Sequence, residues 1–207
     1  MSVLHSAVQL TLPTSPFPPL AVGFFGLGTG YLIYGTQELF GYPKRDERVD
    51  AAMGVWGIWM PGFMQFITGV YLFLGLTLFG TFTAAPDYMA ALAFTAYGVH
   101  WFALGWNRLR RNDPRPNIGM TVAFLAVSVL GIIVFFKVGD QPVGGVFIGL
   151  ACVYAADFVA TLGPDLPGIS GTAERVLGFF RLGTAFWLIY LVYAVVLNFV
   201  LKYTLPL

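Results

Sequence analysis

The sequence predicts an all-α polytopic membrane protein, six transmembrane helices forming one bundle that fills the chain as a single domain. Three observations carry that prediction. Of 207 residues, 57% are hydrophobic and only 10% are charged, against roughly 25% charged in soluble domains. The charges gather in short clusters, and the apolar runs between them are long enough for the ~30 Å hydrocarbon layer. A net charge of +1 with no basic run offers nucleic acid no footing. The single cysteine, Cys152, lies in an apolar stretch, so neither a disulfide framework nor a Cys/His metal site is expected.

Residues 1–19 lack a basic start and contain Pro13, Pro16, Pro18 and Pro19, which reads as an ordered interfacial tail rather than a cleaved signal. The spans fall near residues 20–40, 51–76, 88–107, 118–137, 143–162 and 176–201. Four connectors have the chemistry of turns at water: the charged Pro43 to Asp50, Arg108 to Pro116, Gly139 to Pro142, and the Gly- and Pro-rich Gly163 to Gly171. The uncharged run Ala51 to Ala85 exceeds one helix, so an interfacial segment around Phe79 to Asp87 should follow the second span. Connectors one, three and five, with Arg181 beside them, hold nine of the 11 Lys and Arg residues; only Lys137 and Lys202 lie opposite. By the positive-inside rule those connectors face the cytoplasm and both termini lie outside.

Within the spans, Gly26 and Gly30 make a GxxxG spacing on the first helix, suited to close helix packing or to leaving room for a solute. The second helix carries Pro61, Gly62, Gln65, Thr68 and Gly69. A buried Gln either bridges helices or lines a wet path. On the third helix, Tyr97, His100, Trp101 and Leu104 share a face, which fits packed core as well as a site. Asp157 is the deepest acid and lies near Arg175 and Arg181, either of which can pair with it. No Ser/His/Asp or Cys/His set, HExxH or phosphate loop is present. No enzyme, catalytic residue, metal or cofactor is therefore expected.

The third helix, with Ala93, Phe94, Thr95, Ala96, Tyr97 and Gly98 followed by Trp101 and Phe102, resembles the acetate uptake transporters, the succinate and acetate permease family. Gly62, Gln65 and Gly69 match that family's second-helix pattern, and Pro19 and Leu20 part of its first-helix motif. The resemblance implies a six-helix protomer in a hexamer, each protomer with its own pore, constricted at Phe25, Tyr97 and Leu150. Departures include Pro16 and Phe17 for the family's Asn-Pro and Val195 for an acid of its last helix. The chain is also similar to the bacterial urea and short-chain amide channels, through Pro43 to Asp50, Gly62, Gln65, Tyr71 and Leu72, and Gly98, Trp101, Phe102 and Asn107; that group has both termini outside.

The expectation is a transporter or channel for a small weak acid such as acetate, passive or proton-linked. The alternatives are a urea or short-chain amide channel and an accessory membrane protein without transport. Phe25, Gln65, Thr68, Tyr97, His100, Trp101 and Leu150 are the candidate pore residues. The expected partners are a small-molecule solute, the lipid bilayer and further copies of the chain in a ring, and the expected location is the cell membrane.

Overall fold

A computed structural model describes residues 20–163, 168 and 170–206; the expected interfacial tail, 1–19, lies outside the described residues. Six helical rods follow the six apolar stretches, with no strand among the described residues. The first is α1 (Leu20–Phe40). The second joins α2 (Glu47–Gly57), a π-helical stretch (Ile58–Phe63) and α3 (Met64–Thr77) into one continuous rod. Then come α4 (Pro86–Arg110), α5 (Asn117–Val138), α6 (Gln141–Leu162) and α7 (Ser170–Leu201). Four rods, Glu47–Thr77, Asn117–Val138, Gln141–Leu162 and Gly171–Leu201, are long and apolar enough to cross a membrane, consistent with a multi-pass membrane protein.

The ends are written in the local sequence. Asp46 accepts the amide of Val49 at 2.8 Å to open α2, and Asp140 accepts that of Val143 at 3.0 Å to open α6. Pro86 sits in the first turn of α4, where its missing N–H costs nothing. Gly139, at φ 85°, closes α5 in the left-handed conformation. The last helix begins at Ser170 rather than near 176 because the polar turn around Glu174 and Arg175 is already helical. The third begins at Pro86 and runs through Arg110, taking up charges expected in a connector. The segment after α3 is irregular and pinned by Phe82, which is buried over Gly75 and lies 5.5 Å from the Tyr71 ring.

Close crossings explain the glycines of the first two rods. A Cβ on Gly26 would stand 2.5 Å from the Met60 carbonyl oxygen, and one on Gly30 would stand 2.6 Å from Pro61 Cγ. The GxxxG face is thus the seat of the π-helical stretch within the bundle. Pro61 has no N–H to give, so the ladder breaks there and one extra residue enters the turn. Elsewhere α1 packs chiefly on α7, α5 on α6 and α3 on α4.

Candidate functional site

Two cavities enter the bundle from opposite ends. One, about 270 Å³, is lined by Leu20, Phe24, Gln65, Asp87, Asp140 and Leu150 among others, at the start of α4. The other, about 370 Å³, lies at the end of α4 and is lined by Tyr34, Glu38, Asn107, Arg108, Asp157 and Arg181 among others. At ~1.5 Å per residue, the 21 residues from Asp87 to Arg108 put the mouths roughly 30 Å apart. They are termed the outer cavity and the inner vestibule, after the orientation expected from the charge bias of the connectors.

Between them lies an aromatic layer. Tyr97 and Tyr154 rings stack at 5.7 Å, and Phe124 lies 5.2 Å from Tyr97 and 4.9 Å from His100. The Tyr97 hydroxyl pairs with Ser128 Oγ at 2.9 Å, and the Tyr154 hydroxyl with His100 Nδ1 at 3.1 Å. Trp101 packs edge-on against Tyr34 at 5.0 Å, and the Arg181 guanidinium stands 5.9 Å from the Trp101 ring. So α1, α4, α5, α6 and α7 each contribute to a dense plug.

The polar atoms left over are informative. Among the described residues, no hydrogen-bond partner reaches Gln65 Nε2 or Oε1, Thr95 Oγ1, His100 Nε2, Trp101 Nε1, Glu38 Oε2 or Arg181 Nε. Buried polar groups are almost always paired; of these, Gln65 lines the outer cavity, His100 and Trp101 lie in the layer and Glu38 and Arg181 line the vestibule, whereas Thr95 faces Gly69 at the α3–α4 crossing.

Each end has its own electrostatics. Among the described residues the outer cavity's charged lining residues are Asp87 and Asp140, without a Lys or Arg; Lys137, nearby on α5, is exposed. Partial burial pushes the Asp140 carboxyl above the usual carboxylate range, opposed by the hydrogen bond from Val143. In the vestibule Arg181 pairs with Glu38 and lies 3.6 Å from Asp157. Arg108 bonds Asp50 at 2.9 Å and also reaches Gln37.

Of the seven candidate pore residues, Gln65, Tyr97 and Leu150 line the outer cavity, and His100 and Trp101 lie in the layer beneath. Thr68 is buried, but its hydroxyl donates to the Met64 carbonyl at 2.7 Å and it lines neither of these two cavities. Phe25 lies elsewhere. It is 42% exposed on the outer face of α1, and Phe24 lines the cavity instead. The inward face of that helix runs Phe24, Leu27, Tyr31, a spacing of three then four that leaves Phe25 about 100° away. Tyr154, Phe124 and Ser128 went unnoticed in the sequence. Only Tyr154, one turn before Asp157, carried any signal there.

No protein-family model matches the chain, and no curated protein matches it in sequence. What the fold and the site define is therefore the class alone: an all-helical, multi-pass membrane protein with a cavity at each end of its bundle.

Proposed function

We propose that the protein is a transporter or channel carrying a small weak acid such as acetate, passively or linked to protons, through a path in each protomer of a hexameric ring. All six rods cross the membrane in this reading, with both termini outside. The observation that carries it is the pair of opposed cavities meeting at an aromatic layer in which buried polar atoms stand unpartnered. A purely structural membrane protein has no use for unsatisfied amide, imidazole and indole groups aligned between two openings. The solute sheds water at Gln65, passes the Tyr97 and Tyr154 rings by side-chain rotation, and is rehydrated among the charges of the vestibule. Dehydrating an anion at the layer is costly, so the undissociated acid is the species that crosses. Released into the vestibule it ionises, where Arg108 and Arg181 tolerate a carboxylate.

A urea or short-chain amide channel is favoured by one specific feature, the lack of a Lys, Arg or His in the outer cavity's lining among the described residues. The test is uptake of labelled acetate and labelled urea into vesicles from pH 5 to 8, with protein-free vesicles subtracted, for wild type and His100→Gln. Acid-stimulated acetate uptake that survives the substitution supports weak-acid transport. Urea flux whose acid response disappears in the variant supports a gated amide channel. Flux of neither solute sinks both and leaves the accessory role.

A further inference from the structure

Resting on that reading and sharpening it, we propose that the Gln65 carboxamide selects the charge state of the solute. It takes a planar, uncharged head bearing a donor and an acceptor side by side, as in a primary amide or an undissociated carboxylic acid, and it rejects the matching anion.

The argument begins with placement. Gln65 is 1% exposed, lies among the outer cavity's lining residues, and has both side-chain polar atoms unpartnered among the described residues. A side-chain amide has two donors and an acceptor to satisfy, and burying it bare is unfavourable enough to need a reason. It is held there by the π-helical stretch just before it. The extra residue at Ile58–Phe63 shifts the phase of α3 by about 100°, while Gly69 and Gly98 let α3 and α4 approach to backbone contact. The amide is thereby fixed on a rod rather than hung from a loop.

Next comes the hydrogen-bond pattern. Gln65 offers one acceptor, Oε1, and one donor edge, Nε2, on adjacent positions of a planar group. An undissociated acid or a primary amide presents the complementary pair and closes a ring of two hydrogen bonds. A carboxylate presents acceptors only. It meets Nε2 with one oxygen and sets its other oxygen against Oε1, with no lining Lys or Arg among the described residues to compensate. The lining acids Asp87 and Asp140, without a lining Lys or Arg, push the same way. An Arg at this position would reverse the choice, because its donors fit a carboxylate on both oxygens. Losing a buried donor–acceptor match leaves groups unpaired, which corresponds to about ten-fold or more in affinity.

Three planar probes in reconstituted vesicles test the idea: acetamide, nitrate and guanidinium, the last two carrying fixed opposite charges. Wild type should carry acetamide saturably and hold nitrate at the protein-free background. Gln65→Leu should raise the half-saturating acetamide concentration about ten-fold while keeping much of the maximal flux. Gln65→Glu is nearly isosteric and guards against misfolding. It replaces the donor by an acceptor, so it should likewise weaken acetamide and admit guanidinium, which donates on every edge. If wild type carries neither acetamide nor acetate, the transport reading itself falls. If acetamide is carried but nitrate passes equally well, or both variants keep the wild-type half-saturation, transport stands and the role of Gln65 is overturned.

Discussion

Removing the guanidinium of Arg181 should cost more than any other single change in the vestibule. Its side chain is 4% exposed and that of Glu38 6%, and Asp157 lies 3.6 Å from the same group. Arg181→Met keeps the stem but strands two carboxylates. Breaking a buried pair by deleting one partner typically costs ~3–5 kcal/mol. At roughly 2–4 °C per kcal/mol for a chain of this size, Tm should fall by roughly 6–20 °C. The companion variant Arg181→Met/Glu38→Gln/Asp157→Asn removes all three charges and should recover most of that loss, because only hydrogen bonds of ~1 kcal/mol each remain missing. Purified protein in a mild detergent, heated while its intrinsic tryptophan fluorescence is followed, gives both numbers. A single variant that melts within 2 °C of wild type, the margin of about one weak interaction, would refute the reasoning. So would a triple variant no more stable than the single, since the loss would then come from the guanidinium's contacts over the Tyr31 and Trp101 rings rather than from stranded charge.

The other expectations are brief. Gly54→Leu should abolish folded expression, because its Cβ would meet the Gly105 carbonyl oxygen at 2.6 Å, whereas Gly119→Leu, which opens on free space, should melt near wild type; detergent-stable yield by size-exclusion chromatography compares them. Tyr97→Ala should thin the aromatic layer and admit longer acids or amides than wild type does, as read by vesicle uptake of a homologous series; unchanged size selection would make the ring packed core. A cysteine added at the C-terminus should react with an impermeant thiol reagent from outside intact cells, and labelling only after the membrane is opened would invert the orientation drawn from the basic residues.

The sequence made the rods legible because membrane-length apolar runs and charged, proline-rich connectors are strong local signals, and the helices begin and end within a few residues of them except at Ser170. It also showed which residues of α4 are unusual, since Tyr97, His100 and Trp101 recur on one helical face. What it hid is set across helices. Glu38 and Arg181 are 143 residues apart, and nothing in either neighbourhood names the other. Phe124 and Ser128 looked like ordinary residues of an apolar span until Tyr97 was placed against both. Which of Phe24 and Phe25 faces the cavity was hidden for a related reason, because a helix that is apolar all round has no polar stripe to reveal which face turns inward. Gln65 shows the subtler limit. Its burial could be anticipated from the rarity of amides in apolar spans, but its aim into a cavity depends on the phase of the rod it stands on. Regular counting from Glu47 misses that phase by the one residue that the break at Pro61 inserts. In such a helix a proline four residues before a lone amide is the feature to read, since it alone says that the inward face downstream differs from the one upstream.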